Sequence, residues 1–245
     1  MNEPELFSVL ECVDSTNNYA MAKAHAGLAK HGSAWFAKDQ TAGKGQRGKN
    51  WESVKDESIS LTIAIVPSGI PLHRSFMLSV AVSLGCYDFF YGLAGDKTSI
   101  KWPNDIFWND RKAGGILIES IIQGNNWKYA VVGIGININQ TEFRVNTKNA
   151  VSLKQITDME HDTAALAKGL YVSVMKRINA INENAFPVIL KEYNLHLYKR
   201  NSTVTLKKAG IIFKTEITGV KDNGKLLTND DTFNELNFGE VEWVI

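Results

Sequence analysis

Between residues 100 and 139 the chain carries strand-like segments in succession, joined by short turns. Ile100-Lys101-Trp102 and Asp105-Ile106-Phe107-Trp108 flank Pro103-Asn104, where proline imposes a turn or bulge. Asn109-Asp110-Arg111 then turns into residues 112–119. Residues 127–139 form the most strand-like run of all, centred on Val131-Val132-Gly133-Ile134-Gly135-Ile136-Asn137. Strands in this succession predict an antiparallel or mixed sheet and argue against repeated βαβ units.

Other elements gather around that sheet. Residues 7–13 read as a strand, Asp14-Ser15-Thr16-Asn17 as a helix N-cap, and 19–26 as a short helix stopped at Gly27. Residues 34–37 form a strand that delivers a polar loop. Ser58-Ile59-Ser60-Leu61-Thr62-Ile63-Ala64-Ile65 alternates and is closed by Pro67, which predicts a half-buried strand. Residues 76–93 carry an apolar pattern of helical length and predict a core helix; 161–182 and 186–198 predict two more. After Lys199-Arg200-Asn201-Ser202 the character changes. Short strands at 203–206, 211–217, 225–227 and 241–245, with a tight turn at Asp222-Asn223-Gly224, predict a small all-β barrel. The expected division is a main domain over 1–199 and a β domain over 200–245.

The polar loop runs from Lys38-Asp39-Gln40-Thr41-Ala42 through Gly43-Lys44-Gly45-Gln46-Arg47-Gly48-Lys49 to Asn50-Trp51. From Gly43 to Lys49 there is no apolar residue, so the segment belongs at the surface. Its glycines let backbone N–H groups approach a ligand and its cations favour an anion, most naturally a phosphate. Gly43-x-Gly45-x-x-Gly48 matches the dinucleotide fingerprint in letters only. A polar stretch and then a strand follow it, not a helix. No Gly-Lys-Ser/Thr tripeptide is present, so it is not a P-loop either. Lys112 stands just before Gly114-Gly115, and glycines weaken a strand unless something approaches the backbone. Gly133 and Gly135 leave one face of their strand bare, on which a flat ring could lie.

Composition narrows the class. The 245 residues are 44% hydrophobic and 22% charged, as in soluble globular enzymes, and the net charge of +1 supplies no global field for nucleic acid. Only Cys12 and Cys86 occur, read as buried small hydrophobes in a reducing compartment, and the five histidines lack metal-ligand spacing. With no apolar run judged long enough for a bilayer and no signal-peptide pattern, the expectation is a cytoplasmic protein without membrane contact.

Five motifs in this order carry a family resemblance: Asp14-Ser15-Thr16-Asn17; Gln40-x-x-Gly43-x-Gly45-x-Arg47-Gly48-x-x-Trp51; Lys101-Trp102-Pro103-Asn104-Asp105; Lys112-x-Gly114-Gly115-Ile116-Leu117; and Gly133-x-Gly135-Ile136-Asn137. From about residue 8 to 140 the chain resembles biotin–protein ligases, and the β tail resembles that family's C-terminal SH3-like domain. The resemblance implies an α+β fold, a class II aminoacyl-tRNA-synthetase-like mixed sheet flanked by helices. It implies two half-reactions: biotin and MgATP give biotinyl-5′-AMP and pyrophosphate, and a lysine of the biotin carboxyl carrier domain of acetyl-CoA carboxylase then takes the biotin.

Carried over position by position, Ser15, Thr16, Asn17 and Gln40 would meet the biotin head, with Lys44, Gly45, Gln46, Gly114 and Gly115 completing its pocket. Lys112, Arg47 and Asp105 would be catalytic. Lys112 would sit between the biotin carboxylate and the α-phosphate, and Asp105 would meet the acceptor amine or the metal. Gly43, Arg47, Gly48, Trp51, Lys101, Asn104 and Asn137 would hold ATP or the adenylate, Arg47 and Lys44 taking phosphates. Mg2+ would be bound mainly through the ATP phosphates. Lys44 and Gln46 depart from the commoner Gly-Arg-Gly-Arg pattern and lose the bidentate guanidinium. With the first strand near residue 7, no DNA-binding module is expected. The protein is expected to be a monomer or a homodimer, exposed strand edges near 116–138 being able to pair. The alternatives are a lipoate or octanoate ligase and a non-catalytic protein that binds biotinyl-AMP or the carrier.

Overall fold

The computed structural model describes residues 6–143 and 149–244; the first five residues and Ile245, the end of the last expected strand, lie outside it. A seven-stranded sheet is built from β1 (Phe7–Val13), β2 (Ser33–Gln40), β3 (Ser58–Ile65), β4 (Thr98–Lys101), β5 (Asp105–Trp108), β6 (Arg111–Gln123) and β7 (Asn126–Asn137). Their order is β1-β2-β3-β7-β6-β5-β4. Only β1 and β2 run parallel, because α1 (Thr16–His25) crosses over between them; the other pairs are antiparallel. The sheet is mixed, as the turns between residues 100 and 139 predict.

Helices cover both faces. Ile59, Leu61, Ile63 and Ile65 of β3 face α2 (Phe76–Ala94) and α4 (Thr163–Asn179), and together they form the main apolar core. On the other face α1 packs Ala20 and Ala24 against Trp35, Ala64 and Val131. The alternation in β3 therefore does not mark a solvent face: all eight residues are buried, since α1 and the loop after β2 roof the polar side. By length and composition α2 is apolar enough to cross a membrane, contrary to the sequence expectation; here it is mostly buried inside the fold.

The chain continues through α3 (Leu153–Thr157), which the sequence did not announce, to α4 and α5 (Phe186–Leu195). A second, antiparallel sheet follows: β8 (Thr203–Lys208), β9 (Ile211–Val220), β10 (Leu226–Thr228), β11 (Glu235–Leu236) and β12 (Val241–Trp243), ordered β11-β10-β9-β8-β12. This is the small SH3-like unit expected. Its Leu206, Ile217, Leu226 and Leu236 join the main apolar core. Asn194 of α5 clamps Val220 by its Oδ1 (2.7 Å) and Nδ2 (3.0 Å), and Trp102 Nε1 donates to the Gly224 carbonyl at 2.9 Å. Cys86 is buried as expected, but Cys12 is exposed on β1, an edge strand of the sheet.

Candidate active site

The floor of the site is the α1-facing side of β3, β7 and β6. Ser60 pairs with Gly135, which pairs with Gly115; Thr62 pairs with Gly133, which pairs with Leu117. The glycines are needed for close approach. A methyl group on Gly133 would run into the Asn17 carboxamide, and one on Gly135 into the Trp51 indole. The strip that looks bare in the sequence is thus partly occupied by Asn17 and Trp51.

The wall beside β2 is neutral and hydrogen-bonded. Ser15 caps α1 from extended backbone, its hydroxyl accepting from Asn18 N at 3.5 Å. The Thr16 amide and hydroxyl both donate to Gln40 Oε1, at 2.9 and 3.1 Å, which leaves Gln40 Nε2 as a donor beside Gly43. Thr62 Oγ1 lies 2.8 Å from Thr16 Oγ1 and 2.7 Å from Asn17 Oδ1, and Asn17 Nδ2 donates to Glu119 at 2.8 Å. One cap motif therefore both starts a helix and aims polar groups at the floor.

The opposite wall carries charge. Lys112 Nζ and Asp105 Oδ1 form an ion pair at 2.7 Å, which lies over Gly115: a methyl there would be 3.3 Å from Nζ and 3.4 Å from Oδ1. The glycine loop folds back on itself through Gly45 N to Lys49 O (2.7 Å) and Trp51 N to Gly43 O (2.9 Å), placing Lys44, Gln46 and Trp51 over the floor. The cleft so formed opens to solvent and holds a cavity of about 60 Å³. It brings together Ser15, Thr16, Asn17, Gln40, Lys44, Gly45, Gln46, Trp51, Asn104, Lys112 and Gly115 from the sequence expectation. A second cavity of about 480 Å³ lies between α2, the Pro103-Asn104 turn and the second sheet, and shares Gln46, Asn104 and Ile116 with the first.

Other expected residues do not reach the lining. Arg47 takes a left-handed backbone (φ 57°) at the loop tip and sets its guanidinium against Gly239 in the turn between β11 and β12; Gly48 beside it is exposed (φ 74°). Gly43 is packed against the Gln40 amide and the Trp51 carbonyl. Gly114 faces the other side of the sheet, against Ile136 and the Gly135 carbonyl. Asn137 donates to the carbonyls of Val151 (3.2 Å) and Lys112 (3.4 Å), tying β7 to β6 and to the approach to α3. Asp105 is outside the lining but holds its Oδ1 over Gly115, beside Lys112. Lys101, 9% exposed, has no carboxylate partner among the described residues; its Nζ lies 4.6, 5.0 and 6.0 Å from the ring centres of Phe107, Trp243 and Tyr198. Burial pushes its pKa down to about 8, against the pull of Asp105 and with Lys112 and Lys49 adding to the fall.

Ser60, Thr62 and Glu119 went unassigned in the sequence although Ser60 lines the cleft and the other two brace it. The polar positions of the alternating β3 stretch were the available signal. Among the described residues no cluster of three His, Cys, Asp or Glu could hold a metal.

Comparison with known proteins agrees with this geometry. The model of the biotin/lipoate A/B protein ligase family matches residues 9–137. The biotin–[acetyl-CoA-carboxylase] ligase of Paracoccus denitrificans is 39% identical over 134 residues, 53% of each chain. The bifunctional ligase/repressor BirA of Bacillus subtilis is 28% identical over 202 residues; the match takes in 81% of this chain but only 62% of that protein. The structure of the biotin protein ligase of Aquifex aeolicus in complex with biotin and ATP superposes with a TM-score of 0.81 at 23% identity, covering 97% of this chain and 99% of that one. With more than half of its residues inside the family match, the chain belongs to the biotin/lipoate A/B protein ligase family.

Proposed function

We propose that this chain activates biotin with ATP, giving biotinyl-5′-AMP and pyrophosphate, and transfers the biotin to a lysine of the biotin carboxyl carrier domain of acetyl-CoA carboxylase. The observation that carries this reading is the polarity of a single cleft. Neutral donors and acceptors (Ser15, Thr16, Gln40) stand on the β2 side and the Lys112–Asp105 pair on the β6 side. An elongated acid with a neutral polar head fits that gradient. A ureido head uses the neutral wall, whereas an apolar lipoyl ring would leave its buried polar groups unpaired.

In the first step a biotin carboxylate oxygen attacks the α-phosphorus and the bond to pyrophosphate breaks. The Lys112 ammonium, held by Asp105, faces the oxygens on which negative charge builds. Lys44 adds positive charge from the loop. Mg2+ enters as part of the nucleotide substrate, bound mainly through its phosphates. In the second step the acceptor amine attacks the anhydride carbonyl, its C–O bond breaks and AMP leaves. Asp105, beside the reacting end, is positioned to receive the amine proton. The second cavity meets the first at Gln46, Asn104 and Ile116 and offers the acceptor a way in.

The test is pyrophosphate release with MgATP and biotin, comparing the native chain with Lys112→Ala. Biotin-dependent release, falling at least about 100-fold in the variant, is the expected result. Release with lipoate in place of biotin would move the chain to the lipoate branch. Bound biotin without any release would make it a binding protein.

A further inference from the structure

Lys112 lines the cleft although a regular β6 would turn it away. Residues two apart on a strand share a face, and Gly114 faces the opposite side, against Ile136. The alternation breaks at Ala113. Gly114 pairs with Ile106 of β5 and Lys112 with Phe107, so β6 holds one residue more than β5 at this point. This is a β-bulge, a distortion by which a strand re-aims a side chain. Ala113 joins the main apolar core, and Lys112 is delivered over Gly115.

A bulge interrupts the ladder, so the backbone beside it must be held from elsewhere. β7 ends at Asn137, and the place next to Lys112 is taken by Ala150, on the segment leading into α3. The Lys112 N–H donates to the Asn149 carbonyl at 2.6 Å, and the Lys112 carbonyl accepts from Val151 N at 2.8 Å. Between these two bonds, the Ala150 carbonyl accepts from Arg111 twice, from Nε at 3.1 Å and Nη2 at 2.6 Å. Arg111 Nη2 also reaches Gln155 Oε1 at 3.1 Å, on the side chain that closes the Ser152 capping box of α3. One guanidinium thus fastens the segment that holds both backbone polar groups of Lys112. A planar fork of donors suits that task better than a point charge.

We infer that Arg111 is a positioning residue for the activation step: through Ala150 it fixes the bulged backbone of Lys112, and with it the place of the Lys112 ammonium. Arg111 lines neither cavity and belongs to none of the five sequence motifs. The assignment rests on the ligase reading above.

The experiment is biotin-dependent pyrophosphate release at saturating biotin and MgATP, on the full chain and on Arg111→Ala, Lys112→Ala and the double variant. Calorimetric biotin affinity is measured beside it. Arg111→Ala should lower turnover at least about tenfold, about 100-fold being the cost of a 1 Å misplacement. Biotin affinity should fall by less than turnover does, because Lys112 acts on charge that builds in the transition state. In the Lys112→Ala background the Arg111 substitution should cost nothing further, since the group it aims is gone. Arg111→Lys keeps one donor for Ala150; its turnover should lie between those of the native chain and Arg111→Ala, and it carries the same comparison if Arg111→Ala does not fold. Native turnover in Arg111→Ala would overturn the assignment and leave the ligase reading standing. So would an undiminished loss in the Lys112→Ala background, or a fall in affinity as large as the fall in turnover, either of which makes Arg111 a support of the cleft at large. A native chain that releases no pyrophosphate with biotin would remove the ligase reading itself, and this role with it.

Discussion

The two faces of β3 are written with alternate residues of one strand, and both are buried by different means. Ile59, Leu61, Ile63 and Ile65 meet α2 and α4 through apolar contact alone. Ser58, Ser60 and Thr62 lie beneath α1 and the glycine loop, where burial demands a partner for each hydroxyl. Apolar packing is forgiving in direction, whereas a buried hydroxyl needs a partner at one place and angle. The apolar face therefore supplies stability, and the polar face supplies a fixed set of donors and acceptors. The candidate site lies on the second face, where donors and acceptors have fixed directions.

The contrast can be broken from either side. Leu61→Ala on the apolar face should cost about 3 kcal/mol of stability through lost burial and a residual cavity. Denaturant unfolding measures the loss, and titration of the folded variant should return the native biotin affinity. A clear fall in affinity would mean that the two faces are not separable. Thr62→Val on the polar face keeps the shape and removes the hydroxyl that meets Thr16 and Asn17. Stability should drop by about 1–2 kcal/mol, less than for Leu61→Ala, because only a hydrogen-bonded group is lost. Biotin affinity should nevertheless fall, since Thr16 and Asn17 lose the group that aims them. Unchanged affinity would show that Gln40 and Glu119 hold that wall unaided.

Much of this layout was legible beforehand. The boundaries of β1 and β3 were readable from apolar alternation and from the polar residues that bracket it. The Ser15 cap was readable because a run of short polar side chains before an Ala-rich stretch has few other uses. What could not be read was direction. Lys112 is marked by the glycines after it and turns into the cleft, whereas Lys101, also assigned to the ligand, is turned into a ring of aromatics drawn from β5, the segment after α5 and β12. Of those rings only Phe107 is near Lys101 in the chain; Tyr198 and Trp243 come from far along it, and nothing beside Lys101 announces them. Gly114 and Gly115 divide in the same way, adjacent residues on a strand necessarily facing opposite sides. The buried polar face of β3 was misread as half exposed because alternation reports two different environments and cannot say that the polar one is solvent.

Lys101 is a third manner of burial: a charge kept from water with aromatic faces where a carboxylate would usually stand. Its lowered pKa makes a stability prediction of definite sign. The unfolded chain holds this proton up to the ordinary lysine value of 10.5, while the folded chain releases it near 8. Between those values the unfolded state binds more protons, so stability must rise as pH increases through that window. Between about pH 7 and pH 9 the expected gain is on the order of 1 kcal/mol, the smallest effect predicted here. Replacing the side chain by one of similar length without charge, Lys101→Met, keeps the contacts with the rings and removes the titration. Denaturant unfolding of both chains across this range should show the native protein gaining on the variant as pH rises. Parallel profiles would mean that the rings and Asp105 hold the ammonium as well as water does, and that Lys101 belongs with the satisfied groups beside Thr62.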